Sequence, residues 1–206
     1  VTTLAVVDYG MGNRRSVEKA LERAGAHVVV TADHDALRAA DGLVLPGVGA
    51  FPEAMRRLRD LGLDAVLAAH TRPLIGLCLG MQLLFERSSE HEGAEGLGLL
   101  PGAVERLSAG GLKLPHIGWN EVRWTRKHPL LDGLPDPAAF YHVHSYVATD
   151  REHVLGEGDY GGPFVSVVAC GNVFGTQFHP EKSSSHGLGL LRNFAGICAR
   201  SEAVAS

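Results

Sequence analysis

Over its first 85 residues the chain alternates continuous apolar runs with amphipathic ones. Leu4–Asp8 (LAVVD), His27–Thr31 (HVVVT), Gly42–Gly47 (GLVLPG) and Pro73–Cys78 (PLIGLC) are short, aliphatic and free of internal charge, as strands buried on both faces are. Between them, Ser16–Gly25 (SVEKALERAG) reads as a helix stopped by its glycine, and Phe51–His70 as a helix in two pieces broken near Gly62. This alternation predicts an α/β fold: a mostly parallel central sheet with helices on both faces. In such sheets function collects at the carboxyl ends of strands. Here those ends include Asp8-Tyr9-Gly10, Pro46-Gly47-Val48-Gly49 and Cys78-Leu79-Gly80.

Beyond Phe85 the texture changes to glycine- and proline-rich segments with short strands: Gly102–Leu107, Asn120–Trp124, Phe140–Ala148 and Phe164–Pro180. These predict added antiparallel strands in the C-terminal half, with Cys170-Gly171-Asn172 at a tight turn between two of them. Leu188–Arg200 closes the chain as a helix, with Ser183 to Ser185 as cap candidates and Cys198 on its apolar face. No internal repeat or low-complexity linker divides the chain, so a single domain over residues 1–206 is expected.

Composition narrows the function. The formal charge is −4, from 19 basic and 23 acidic residues, which offers no electrostatic footprint for nucleic acid or anionic lipid. No apolar run approaches membrane-spanning length, and the N-terminal VTTLAVVDYG lacks the pattern of a secretory signal. A cytoplasmic protein acting on small molecules or another protein is expected. Three widely separated cysteines suggest neither a disulfide framework nor a zinc knuckle.

Cys78 stands apart from the other two. Gly76-Leu77-Cys78-Leu79-Gly80 has the spacing of the nucleophile elbow, G-x-S-x-G, with sulfur in place of oxygen. Glycines at a strand end and a first helical turn are unfavourable unless close backbone approach or an unusual φ is needed, and a sharp strand-to-helix turn needs both. That turn would hold the sulfur over the start of a helix carrying Met81 to Phe85, where backbone N–H groups and the dipole favour thiolate. The bland alternative is a small core residue.

A thiol nucleophile needs a base, and the base an orienter. Among 11 histidines, His179 is singled out by QFHPEKS at the end of the last apolar strand. In extended chain, residues two apart share a face, so Glu181 can accept from one imidazole nitrogen while the other faces a thiol. The alternative is a surface salt-bridged histidine.

GLCLGMQ together with FHPEKS resembles the Cys-His-Glu triad of class I glutamine amidotransferases. The blocks DYGMGN (8–13), PGVGAF (46–51), LCLGMQLLF (77–85), LPHIGWNEV (114–122), HVHSY (142–146) and QFHPEKSS (177–184) are similar to those of the glutaminase subunits of imidazole glycerol phosphate synthases. The likeness runs from the first strand to the last. It implies the flavodoxin-like α/β architecture of that family, with Cys78 as nucleophile, His179 as acid and base, Glu181 as orienter, and no cofactor or metal. It further implies oxyanion donors from the N–H of Leu79 and from Gly47, Val48 or Gly49, whose glycines would let a peptide flip. Glutamine would be held through Gln82, Glu90 and the backbone around His144 and Ser145. A (βα)8-barrel cyclase partner, forming a heterodimer, would receive the ammonia for histidine biosynthesis, with Asn13, Trp119 and Lys182 at the interface. The ordinary roles of those three are a turn residue, a packed aromatic and a surface lysine.

Other readings compete. Gly10-Met11-Gly12 after a strand has part of a dinucleotide fingerprint, but Arg15 stands where the third glycine belongs. His142 and His144 share a face as a metal pair would, yet no compact set of further ligands accompanies them, and packing or substrate-loop duty is preferred. The same triad could serve another acceptor, such as pyridoxal phosphate, aminobenzoate or purine synthesis, or a self-contained γ-glutamyl hydrolase; PHIGWN and DYGMGN speak against these. A catalytically silent regulatory subunit finds no support while Cys78, His179 and Glu181 are all present.

Overall fold

The computed structural model describes residues 1–205; Ser206, the last position of the expected domain, lies outside the described residues. The N-terminal half runs β1 (Thr3–Val7), α1 (Arg14–Arg23), β2 (His27–Thr31), α2 (His34–Ala39), β3 (Gly42–Leu45), α3 (Phe51–Asp60), α4 (Leu63–Ala68), β4 (Leu74–Leu77) and α5 (Leu79–Leu83). Then come β5 (Arg87–Ser88), β6 (Ala94–Glu95), β7 (Ala103–Arg106), β8 (His116–Trp124), β9 (Ala138–His144), β10 (Tyr146–Ala148), β11 (Val154–Asp159), β12 (Pro163–Cys170), β13 (Val173–Thr176) and α6 (Ser184–Ala205).

The central sheet has the order β2-β1-β3-β4-β13-β12-β11-β8-β9. It is parallel from β2 through β13 and antiparallel from β13 to β9. Alternate residues feed two cores, as a pleated strand buried on both faces requires. Ala5, Val7, Leu43 and Leu45 face α2 to α5, packing with Leu37, Phe51, Leu58 and Leu67. Leu4, Val6, Val44 and Ile75 face α1 and α6, packing with Val17, Leu21, Leu190 and Phe194. Each of the larger side chains among them, valine, leucine, isoleucine or phenylalanine, contributes roughly 1.5–3 kcal/mol by leaving water.

The expected glycine breaks are present: Gly25 takes φ +97 just past α1 and Gly62 takes φ +65 between α3 and α4, conformations that a Cβ would strain. A two-residue turn, Gly171-Asn172, joins β12 to β13, with Cys170 paired to Val173. Cys198 is fully buried in the α1/α6 core. The helix α2 had no periodic signal because it is only six residues long; the side chain of Asp33 caps it by accepting from the Ala36 N–H at 2.8 Å.

Two expectations are corrected. Phe140–Ala148 is not one strand. The chain breaks at Ser145, so that β9 pairs with β8 in the large sheet while β10 pairs with β7 in a second sheet ordered β10-β7-β5-β6. Ser183 does not serve as a cap: its hydroxyl donates to the His179 carbonyl at 2.6 Å and accepts from the Tyr141 N–H at 2.9 Å, tying β9 to the segment that follows β13.

Candidate active site

Parallel strands β3, β4 and β13 deliver their carboxyl ends to one place. At the end of β4 the chain turns into α5 through Cys78, which takes φ 54 and ψ −112. A non-glycine residue in such a conformation costs on the order of 1–3 kcal/mol and persists only when its surroundings hold it. Here they do: the Cys78 N–H donates to the Thr176 carbonyl at 2.8 Å, and the Cys78 carbonyl accepts from Met81 and Gln82. The flanking glycines serve close approach alone. A Cβ at Gly80 would collide with the Leu45 carbonyl, and one at Gly76 with the Gly80 peptide, so the left-handed φ falls on the cysteine itself. Because α5 has five residues, it brings no long helix dipole to the sulfur.

His179 follows β13 and is seated from below by Phe178, whose ring stacks on Phe140 of β9 at 3.8 Å. Its N–H donates to the Tyr141 carbonyl at 3.0 Å. His179 Nδ1 lies 2.8 Å from Glu181 Oε1, with both side chains nearly inaccessible. The expected pair is present, but extended-chain alternation is not what joins it. Glu181 sits in a one-turn 3-10 helix, Pro180–Lys182, and the turn folds its carboxylate back under the ring. Glu181 Oε2 is buried without a protein partner. Burial pushes the His179 imidazole toward the neutral form, but hydrogen bonds to Cys78 and Glu181 and their charges outweigh it and raise its pKa to about 10.

Cys78 and His179 line a cavity of about 320 Å³ together with Val48, Gly49, Leu79, Gln82, Glu90, His144, Ser145 and Lys182. Gly47 adjoins it: a Cβ there would lie 2.7 Å from the Gly80 nitrogen and 2.9 Å from the Tyr9 hydroxyl. Gln82 is buried, its amide nitrogen donating to Tyr146 O at 3.0 Å and Gln177 Oε1 at 3.1 Å. One Glu90 oxygen accepts from the Phe51 N–H at 2.8 Å. Asn13 and Trp119 stand apart from the cavity lining. Asn13 is exposed at the start of α1, and Trp119 is 55% exposed on β8 beside Ile117 at 60%.

Sequence reasoning left several neighbours unassigned. Gln177 approaches Cys78 Sγ at 4.0 Å through its amide nitrogen, and its place two residues before His179 was the available signal. Tyr9 is buried with its hydroxyl donating to the Pro46 carbonyl at 2.7 Å, which anchors the segment leading to Gly47; burial pushes its phenol well above the usual value. Val143, whose carbonyl lies 3.7 Å from Cys78 Sγ, and Tyr146 complete the far wall. Among the described residues no group of histidine, cysteine and carboxylate side chains is arranged to hold a metal ion.

Comparison with known proteins follows the same lines. The family model Glutamine amidotransferase class-I matches residues 5–197. Imidazole glycerol phosphate synthase subunit HisH of Bacillus cereus (strain G9842) is 52% identical over 198 residues, covering 94% of each chain. The subunit of the same name from Halobacterium salinarum is 53% identical over 209 residues, covering 96% of this chain and 94% of its own. In fold the chain is similar to a putative GMP synthase subunit from Thermoplasma acidophilum, with a TM-score of 0.78 at 22% identity, over 99% of this chain and 97% of that one.

Proposed function

The chain belongs to the class I glutamine amidotransferase family, and from that premise we propose that it is the glutaminase subunit of an imidazole glycerol phosphate synthase. It hydrolyses glutamine and passes the ammonia to a cyclase partner for histidine biosynthesis. The observation that carries the chemistry is the strained Cys78 on its turn, facing a His179–Glu181 pair across one cavity. Identity above 50% to HisH subunits over nearly the whole chain supports the acceptor.

The attacking form pairs the Cys78 sulfur as thiolate with a protonated His179, which keeps its proton well past neutral pH. The Cys78 sulfur attacks the side-chain amide carbon of glutamine and the carbonyl π electrons move onto oxygen. The oxyanion falls near the N–H of Leu79 and the Gly47-Val48-Gly49 segment, which act as donors. Collapse expels ammonia with the proton from His179 and leaves a thioester. His179, now neutral, takes a proton from water, the hydroxide adds to the thioester, and glutamate leaves as the thiolate is restored. Glu181 orients the ring through Nδ1 and stabilises its charged form. Glu90 pairs with the substrate ammonium, and Gln82, His144 and Ser145 position the amino acid. For Gln82 that contact falls to Oε1, because its nitrogen already donates within the protein.

The whole of residues 1–206 works as one glutamine amidotransferase domain without a cofactor. The partner implied by the likeness to the synthase subunits is a (βα)8-barrel cyclase, docked directly because ammonia released to water would be protonated and lost. Exposed Trp119 and Ile117 supply an apolar anchor for it, and exposed Asn13 and Lys182 supply polar contacts, with Lys182 at the cavity itself. A cytoplasmic setting belongs to this reading, as the relatives are subunits of a biosynthetic enzyme; no helix of the described residues is long and apolar enough to cross a membrane. The test is glutamate release from glutamine by the chain alone and with the barrel cyclase and its nucleotide. Strong stimulation by the liganded partner, lost in Cys78→Ala, is expected. Equal turnover with and without the partner would point to a stand-alone hydrolase.

A further inference from the structure

The block PHIGWN places His116 and Asn120 on β8, and neither enters the chemistry above. His116 pairs in register with His144 of β9. Its ring stacks on Tyr160 at 4.1 Å and on His142 at 5.3 Å, in a buried aromatic layer behind the cavity. The hydrogen bonds in this layer run in one direction. Tyr146 O, 3.2 Å from His144 Nδ1, can only accept, so His144 Nδ1 carries the proton and Nε2 of a neutral ring accepts. His116 Nδ1, 3.1 Å from that Nε2, must then be the donor, which leaves His116 Nε2 to accept. Asn120 Nδ2 lies 3.3 Å from His116 Nε2 and also donates to the Asp159 carbonyl at 2.7 Å, which sets the amide the right way round. His142 stands outside the series, bonded to the Phe140 carbonyl and to Ser166 Oγ.

We propose that Asn120, His116 and His144 form a directed hydrogen-bond chain that holds the cavity wall Val143–Tyr146 in the shape that receives glutamine, with His116 and Asn120 as positioning residues. The wall needs such support. It includes Ser145, where the chain leaves one sheet for another, and the end carbonyl of the chain, Tyr146 O, is the one that also accepts from Gln82. The Val143 carbonyl beside the Cys78 sulfur belongs to the same segment. Burial pushes the imidazoles of His116 and His144 below their ordinary value, His144 to about 3 with the help of neighbouring His116, so both stay neutral at pH 7. The chain starts one residue from exposed Trp119, which links the wall to the face proposed for the partner.

This inference rests on the glutaminase reading for its kinetic consequence and stands free of it in its hydrogen bonds. Nitrogen-15 spectra of the imidazoles in the full chain at neutral pH are expected to show His116 and His144 as neutral Nδ1–H tautomers. An Nε2–H tautomer or a protonated ring at either position would overturn the chain. In the complex with the cyclase, His116→Phe keeps the ring stack and removes both nitrogens. It should raise KM for glutamine roughly tenfold, the size of one buried hydrogen bond lost with its partner left unpaired, while kcat stays within about twofold. Asn120→Ala, away from the core, should raise KM about threefold. His116→Gln restores a donor and an acceptor and should bring KM most of the way back. Unchanged KM in folded His116→Phe, or equal damage from phenylalanine and glutamine, would reduce the layer to packing and sink the proposal. If the wild-type complex turned over no glutamine, the glutaminase reading would fail, and the tautomers would still decide the chain.

Discussion

At the end of β13, His179 is raised to about pKa 10; at the end of β9, His144 is pushed down to about 3. The two rings line one cavity and both are buried, so burial acts on each in the same direction. Their company differs. His179 has the Glu181 carboxylate at 2.8 Å on one side and the Cys78 sulfur on the other, whereas His144 meets a backbone carbonyl and a neutral imidazole. In the function proposed above, one region holds and moves a proton, and the other holds shape. Depth in the protein does not assign a histidine its role; the charge of its partners does.

The sharpest way to break this contrast is Cys78→Ala. It removes the proposed nucleophile and one of the two supports of His179, and glutamate release in the complex should fall on the order of 10⁴-fold or more while titration calorimetry shows undiminished binding of the cyclase. Retained glutamate release would put the nucleophile elsewhere. Glu181→Gln comes next: it makes the surroundings of His179 resemble those of His144, so kcat should drop by about 10²–10⁴-fold. The His179 pKa, followed by NMR, should move down with it; an unmoved pKa would mean that Glu181 is not what holds the proton.

The wild-type protein should carry both signatures in its stability. Between pH 6.5 and about 10 the folded chain binds a proton at His179 that the unfolded chain has lost, so this contribution is complete below 6.5 and declines as pH rises through that window. Between 6.5 and about 3 the unfolded chain binds a proton that folded His144 refuses, so this contribution declines as pH falls. Urea unfolding across pH should therefore show a maximum near 6.5, and Glu181→Gln should flatten its alkaline limb only. A profile that rises steadily to pH 9 would contradict the charged state of His179. The smallest expected effect is that of Ser183→Ala. It leaves the His179 carbonyl and the Tyr141 N–H without their shared hydroxyl, at a cost of about 1–3 kcal/mol, and should lower kcat less than about tenfold, since both charged partners of the ring remain.

The sequence by itself determined the parallel half and singled out Cys78 as the candidate nucleophile, because the information is local. Four aliphatic runs without internal charge require burial on two faces, and two glycines around Cys78 require a backbone close to its neighbours; the structure supplies Leu45 and the α5 turn as those neighbours. His179 with Glu181 was legible from two positions in QFHPEKS, though the turn that joins them was not, since a 3-10 turn and an extended link have the same spacing. Only the tertiary structure decided that β9 ends at His144, that Tyr9 would anchor Pro46, and that His116 would meet His144. Those bonds join residues 28 to 37 positions apart, and the identity of a distant partner depends on which strands pair and in what register. For the same reason a histidine's charge cannot be read along the chain: it is set by groups that only the folded sheet brings within a few ångströms.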